Sequence, residues 1–355
     1  MPFPRFYSRR KFLATAASLM AGLPLLPRLK AGGAPTLQKR GQTPAVVVSS
    51  ANGLKAVKVT YRLMSKGTDT LEAVISGVNL VESDPNDRSV GYGGLPNEEG
   101  VVELDSAVMH GPTHRAGAVA ALRNIRKPSR VAQLVLETTD HVLLVGAGAL
   151  KFAKANGIRE EELLTESSRK AWLKWKRNLS RGDDWLSDDE EDRGIARHVG
   201  RPTGTIHCAA LNSDGDISCV TTTSGLAYKI PGRVGDSPII GAGLPVDNAI
   251  GSCGSTGRGE ANLQNLCSFA AVELMGTGMS PEEAGIAVLR RVASHTTQSR
   301  LLDEKGRPNF GLMFYLIAKD GRYAGVSMWG PDKYSVATRK GSRHEEMVYL
   351  YTRGS

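Results

Sequence analysis

Residues 203–222 constrain this chain more than any other stretch. Thr203-Gly204-Thr205 leads into the apolar run Ile206 to Leu211, which reads as a buried strand. Asn212-Ser213-Asp214-Gly215 follows, then a second strand from Ile217 to Thr222. Asp-Gly between two β-rich runs is a hairpin signal, because glycine accepts the positive φ of a tight turn. Around and beyond this hairpin lie Thr221-Thr222-Thr223-Ser224-Gly225, Gly232-Arg233-Val234-Gly235-Asp236-Ser237-Pro238 and Gly254-Ser255-Thr256-Gly257-Arg258-Gly259. Hydroxyls, an arginine, an aspartate and turn glycines form a set able to read an amino acid and hydrolyse an amide.

Strands and helices come in segregated groups on both sides of Thr205, which favours an α+β fold of stacked sheets flanked by helices. Before it, Ala45 to Ser50 and Val101 to Met109 read as strands, with a short strand from His141 to Val145. Leu54–Ser65, Asp69–Glu82, Ser129–Glu137, Ala147–Ala155 and Ser167–Leu179 read as helices. After it, Glu260 to Met275 reads as one helix, and Ser280-Pro281-Glu282-Glu283 caps another that reaches about His295. Gly311–Lys319 and Arg322–Met328 flank Asp320-Gly321 as a final hairpin. Trp172 and Trp175, three apart on a helix, are a packing pair rather than a ligand-stacking one.

The formal charge of +9 suggests nucleic acid only until the leader is set aside. Residues 1–34 hold Arg5, Arg9, Arg10, Lys11, Arg28 and Lys30 and no acidic residue, so the other 39 basic residues face all 36 acidic ones. That balance leaves no electrostatic footprint for DNA or RNA. Ser8-Arg9-Arg10-Lys11-Phe12-Leu13 precedes a modest apolar run to Leu26, too short to be a clear membrane span. Paired arginines there resemble a twin-arginine export signal, which implies a periplasmic or extracytoplasmic protein with no stable span once the signal is removed. An ordinary secretory signal or a disordered basic tail are the other readings. Residues 35–44 are a polar linker, and the acidic run 181–198 reads as a solvated, flexible linker just before Thr205. The cysteines, Cys208, Cys219, Cys253 and Cys267, have no CxxC spacing, so a zinc site is not expected. Cys208 and Cys219 read as core residues of paired strands, with a disulfide as the alternative. No metal and no cofactor is called for.

The blocks GTI, TTTSG, GRVGDSP and STGRG, with Ser89-Val90-Gly91-Tyr92-Gly93-Gly94 and His141-Val142-Leu143-Leu144-Val145-Gly146 upstream, carry a resemblance. In that order they resemble the glycosylasparaginase branch of the Ntn-hydrolase superfamily, which also holds the plant-type asparaginases. The resemblance spans roughly residues 45–330. It implies a four-layer αββα sandwich, cut between Gly204 and Thr205 into an α-chain part (45–204) and a β-chain part (205–355). It also implies an (αβ)2 homodimer of processed protomers.

By the same resemblance Thr205 matches the nucleophile, its freed α-amine serving as its base. Thr223 matches the hydroxyl that steadies it, and Thr256 and Gly257 match the oxyanion hole. Arg233 matches the reader of the substrate α-carboxylate and Asp236 the acceptor for its α-ammonium, while Ser89 matches a serine near the nucleophile. From the residues alone, Thr205 could simply begin a strand, and Arg233 and Asp236 could form a surface ion pair. Two features depart from the glycosylasparaginase pattern. Thr203-Gly204 stands where His-Asp precedes the nucleophile, as in the plant-type branch, and Ser50-Ala51-Asn52-Gly53 lacks the Trp and Phe of the first strand-to-helix loop. The expected activity is hydrolysis of the side-chain amide of N4-(beta-N-acetylglucosaminyl)-L-asparagine or a similar β-substituted aspartyl compound. The alternatives are an L-asparaginase or isoaspartyl (β-aspartyl) peptidase, and an unprocessed, inactive periplasmic binder of amino acids.

Overall fold

Val46–Ser50 (β1) is buried along its whole length, as expected of a β-branched run covered on both faces. A 3-10 turn, Ala51–Gly53, leads into Leu54–Met64 (α1). Asp69 caps Thr70–Glu82 (α2) by accepting the Leu71 N–H at 2.8 Å, which satisfies an orphaned donor of the first turn. Glu103–His110 (β2) pairs with Arg115–Arg123 (β3), and Pro128–Thr138 (α3), Leu143–Val145 (β4), Gly146–Ala155 (α4) and Glu166–Arg177 (α5) follow. The computed structural model describes residues 43–177 and 203–353. The leader, most of the 35–44 linker and the acidic run 181–198 lie outside the described residues.

Thr203–Leu211 (β5) and Ile217–Leu226 (β6) form the central hairpin. Val246–Asp247 (β7), Gly251–Gly257 (β8), Gly259–Leu263 (α6), Cys267–Gly276 (α7) and Pro281–His295 (α8) come next. Leu312–Ala318 (β9), Tyr323–Gly330 (β10), Lys333–Thr338 (β11), Gly341–Glu346 (β12) and Val348–Thr352 (β13) complete the chain. Among the described residues the strands build an eight-stranded sheet, β12-β11-β1-β5-β6-β2-β3-β4, and a five-stranded sheet, β13-β10-β9-β8-β7. The protein is therefore mixed α+β with two sheets.

Alternation along the strands assigns each face. Val47, Cys208, Ala210 and Val220 pack with Val57, Val74, Val135 and Ala149 of α1 to α4. The other faces of those strands give Val46, Val48, Ala209, Leu211 and Cys219, which pack on Tyr315 and Ile317 of β9. Beyond β8 and β9, Cys253, Phe314 and Leu316 meet Val272, Val288 and Leu289 of α7 and α8. Thr205, His207, Thr221 and Thr223 have the parity of Ala209 and Cys219, so they face the second sheet. Gly254 and Thr256 have the parity opposite to Cys253 and face the first.

Two expectations need correction, and the alternative reading of the cysteines falls. The helix read from Glu260 to Met275 is two helices, broken where Leu266 takes a left-handed φ of 46°. The break has a local cause: the Asn262 carboxamide oxygen accepts the Cys267 N–H at 3.0 Å and starts a new helix there. The strand from His141 to Val145 is only three residues long. A Cys208–Cys219 disulfide is excluded by register, since Ala209 rather than Cys208 opposes Cys219, which sends the two side chains to opposite faces. All four thiols are free and buried, and burial pushes that of Cys208 up to about 12. Trp172 and Trp175 do serve packing, both lying against the cluster of Leu95, Ala227 and Tyr228: Trp175 stacks on Tyr228 at 4.5 Å, and Trp172 donates to the Glu98 carbonyl at 3.2 Å.

Candidate active site

The Gly204–Thr205 peptide lies at an irregularity in the β5–β6 ladder. Gly204 opposes Gly225 and Thr205 opposes Thr223, so Ser224 has no partner across the pair. Ser224 instead donates from its N–H and its hydroxyl to the Ser89 carbonyl, each at 2.9 Å. Such an extra residue re-aims the side chains beside it. Here it brings the Thr223 hydroxyl between the two ends of the Gly204–Thr205 unit. Thr205 Oγ1 donates to Thr223 Oγ1 at 3.2 Å, and Thr223 Oγ1 donates to the Gly204 carbonyl at 2.5 Å. The Gly225 N–H supplies a further bond to Thr223 Oγ1 at 2.8 Å. One donor and two acceptor positions are a hydroxyl's ordinary capacity, and Thr223 uses all three.

Ser89 presses on this unit from the other side. A β-carbon on Gly204 would fall 1.5 Å from Ser89 Cβ and 2.3 Å from its Oγ. Ser89 donates its N–H to Asp87 Oδ1 at 2.8 Å and its hydroxyl to the same oxygen. Asn52 donates to Asp87 Oδ2 at 3.3 Å and accepts the Ser50 hydroxyl at 2.7 Å. The loop after β1 and the loop after α2 are thereby joined beside the Gly204–Thr205 peptide. Gly53 has no room for a side chain, because a β-carbon would meet Ser49 Oγ at 2.0 Å.

Arg233 donates through Nε at 2.9 Å and Nη2 at 2.6 Å to one oxygen of Glu260. This fixes one edge of the guanidinium, while Nη1 lies toward Gly225 and Gly235, whose absent β-carbons would stand 3.4 and 3.1 Å from it. Burial works to raise the Glu260 carboxyl, but the Arg233 charge and hydrogen bond outweigh it and hold it low. Asp236 is buried and accepts Asn262 Nδ2 at 2.7 Å and the Ser255 hydroxyl, both on Oδ2. Burial raises its carboxyl, against the pull of those two bonds. Gly259 lets Asp236 approach, since a β-carbon there would be 2.7 Å from Oδ1.

The loop between β6 and Arg233 stands on buried charge. Glu103 accepts the Gly232 N–H at 3.0 Å and holds Arg123 with its other oxygen at 2.6 Å. Lys229 donates to the Glu103 carbonyl at 3.2 Å and lies 3.8 Å from Asp105 Oδ2. Burial raises the Asp105 carboxyl, and the Lys229 charge opposes it.

Thr256 closes the arrangement from the second sheet, its hydroxyl 2.8 Å from Tyr315 Oη. Gly257 follows at a φ of 111°, with its Cα edge against the Gly311 carbonyl, a conformation that only glycine adopts without strain. His207 stacks on the same Tyr315 ring whose hydroxyl meets Thr256. Its ring occupies the space a Gly254 side chain would need, 2.0 Å from that absent β-carbon. Burial drives its pKa down to about 3, so the imidazole is neutral.

A family model described as Asparaginase matches residues 29–306. The chain belongs to that asparaginase family. It is 36% identical to the N(4)-(Beta-N-acetylglucosaminyl)-L-asparaginase of Elizabethkingia miricola, over 95% of this chain and 94% of that protein. It is 39% identical to an isoaspartyl peptidase/L-asparaginase of Xenopus laevis, over 68% of this chain and 74% of the relative.

Within this family member, Gly204, Thr205 and Thr223 are in direct contact and Ser89 abuts Gly204. Arg233, Asp236 and Glu260 adjoin through Gly235 and Gly259. Sequence reasoning missed Glu260, Asp87, Asn52, Tyr315 and His207. The Asp87-Arg88-Ser89 spacing is an Asx-turn signal that could have flagged Asp87. Glu260, two residues after Arg258, was legible only as a helix-start acid.

Proposed function

We propose that this chain is a self-processing, N-terminal-threonine amidohydrolase that cleaves the side-chain amide of β-substituted aspartyl compounds. The observation that carries the proposal is the Thr223 hydroxyl bridging Thr205 Oγ1 and the Gly204 carbonyl. In self-cleavage Thr205 Oγ1 attacks the Gly204 carbonyl carbon. Its proton passes to Thr223 Oγ1 as Thr223 passes its own to the carbonyl oxygen, so no free charge builds up. As the carbonyl re-forms, that proton moves from its oxygen to the departing nitrogen and the C–N bond breaks, which leaves Gly204 as an ester on Thr205 and frees the α-amine. Water then hydrolyses the ester, releasing the Gly204 carboxylate.

The freed amine, with an ordinary pKa of about 7.7 to 8.0, takes the Thr205 hydroxyl proton in turnover. Thr205 attacks the substrate amide carbon, with Thr256 Oγ1 and the Gly257 N–H facing the oxyanion. The departing nitrogen takes the proton back, a β-aspartyl ester remains, and water releases aspartate. Arg233 reads the α-carboxylate through its Nη1 side and Asp236 the α-ammonium.

The names of the Elizabethkingia and Xenopus relatives support glycosyl-asparagine and β-aspartyl amides as the two substrate classes. The small Ala51–Gly53 turn favours a loose leaving-group wall that accepts both. In this reading the two sheets and their outer helices form the four-layer αββα sandwich, processed protomers pair as (αβ)2, and the leader directs twin-arginine export to the periplasm. The direct test is mass spectrometry of purified protein. Cleavage yields a C-terminal piece starting Thr-Ile-His-Cys, and Thr205→Ala stays whole; an intact wild type after long incubation leaves only the inactive binder. With cleaved enzyme, kcat/KM on glycosyl-asparagine, a β-aspartyl dipeptide and free asparagine then ranks the leaving groups.

A further inference from the structure

Tyr315 lies on β9 directly across from Gly254 of β8, and Thr256 is its diagonal neighbour on that strand. Diagonal neighbours on one sheet face stand about 7 to 8 Å apart, within reach of an aromatic side chain. The Tyr315 hydroxyl uses this reach to meet Thr256 Oγ1 at 2.8 Å. Its other hydrogen-bond contact among the described residues is the Met313 sulfur at 3.9 Å, a weak acceptor. The phenol ring is 1% exposed and stacks on His207, with ring centres 6.0 Å apart and planes 13° from parallel. His207 is itself pinned, its Nδ1 2.8 Å from Thr221 Oγ1, which donates to the Gly243 carbonyl at 3.1 Å. Thr221's proton is committed to Gly243, so His207 carries its own proton on Nδ1. The missing side chain of Gly254 makes the slot that this stack fills.

We propose that Tyr315 is a positioning residue that commits the Thr256 hydroxyl proton to the reacting carbonyl, with His207 holding the phenol in place. The inference rests on reading Thr256 as an oxyanion donor. Thr256 Oγ1 has one proton, and in the pair with Tyr315 either oxygen can donate. If Thr256 donated to Tyr315, it would have nothing for the oxyanion. With the weak Met313 sulfur as its other acceptor among the described residues, the phenol has its strong hydrogen bond toward Thr256, and its proton fills the threonine lone pair. Burial raises the phenol's pKa, so it keeps that proton across the working range. The chain Tyr315 O–H to Thr256 O–H to oxyanion is cooperative, each bond polarising the next. Its benefit appears as charge builds on the carbonyl oxygen, not in ground-state binding.

Tyr315→Phe in processed enzyme keeps the ring and its stack and deletes only the hydroxyl. The expected result on a β-aspartyl amide is a kcat lowered by about ten-fold, with KM within about two-fold, since one donor of an oxyanion hole contributes more than its polariser. In a Thr256→Val background the same substitution should cause no further loss, because the two hydroxyls act as one unit. An unchanged kcat for Tyr315→Phe, or an undiminished loss in the double variant, overturns the inference while leaving Thr256 in its role. A wild-type kcat for Thr256→Val alone overturns the oxyanion reading itself. A matching thermal midpoint for Tyr315→Phe and wild type guards against unfolding as the cause of lost activity. If the midpoint falls, Tyr315→Trp, which keeps a buried ring donor, must recover kcat relative to Tyr315→Phe or the inference fails.

Discussion

Ser89 touches the Cα of Gly204 so closely that a β-carbon on Gly204 would lie 1.5 Å from the Ser89 β-carbon. Glycine at position 204 is therefore a packing requirement of this site. It also means that no side chain at position 204 supplies an acid or base for cleavage.

Gly204→Ala should slow self-cleavage at least about ten-fold, because overpacking of a filled site costs roughly 1 to 3 kcal/mol and displaces the reacting carbonyl. Adding Ser89→Gly should restore part of the rate by reopening the space. The fraction of cut chain against time on a denaturing gel reads both. Normal cleavage of Gly204→Ala alone would show that the backbone yields freely here.

Thr223→Val keeps the shape and removes the bridge. Cleavage should fall by about a hundred-fold or more, the usual size of a lost proton-transfer group, while Thr223→Ser should retain most of the rate. Equal cleavage by the valine and serine variants would take Thr223 out of the reaction.

Arg233→Ala should raise KM strongly, by the equivalent of roughly 2 to 5 kcal/mol, and leave self-cleavage intact, because that step involves no free α-carboxylate. Glu260→Gln should raise KM less, since the guanidinium keeps its charge but loses the carboxylate that fixes its Nε edge. A Glu260→Gln effect as large as that of Arg233→Ala would mean that Glu260 does more than orient.

His207 gives a pH signature. Its folded pKa, about 3, is far below the ordinary value of 6.5. In that window the unfolded chain binds a proton that the folded chain refuses, so folding stability is full above 6.5 and is lost as pH falls toward 3. His207→Phe, which preserves a ring against Tyr315, should flatten the fall of the thermal midpoint between pH 6.5 and 4 relative to wild type. Parallel midpoint curves would show that His207 does not contribute to acid sensitivity.

Local chemistry was enough to read much of the chain. The β5–β6 hairpin and the Ser280 cap, with its acids in the first turn, depend on neighbours a few residues apart, and the structure has both. The order of the hydroxyl and glycine blocks was likewise enough to point to the family. What escaped were elements whose stability comes from distant partners. β3 is small-residue rich and is held between β2 and β4, and β11 to β13 find their places on β1 and β10. Three relationships at the site were decided only by the tertiary structure: Ser89 on Gly204, Glu260 on Arg233, and Tyr315 with His207 around Gly254. A sequence specifies side chains and local backbone preference, but the distance between two such groups depends on how the sheets stack and which face each strand turns inward. Burial then does the rest, making His207 neutral and crowding Gly204 against Ser89 through contacts that no spacing along the chain encodes.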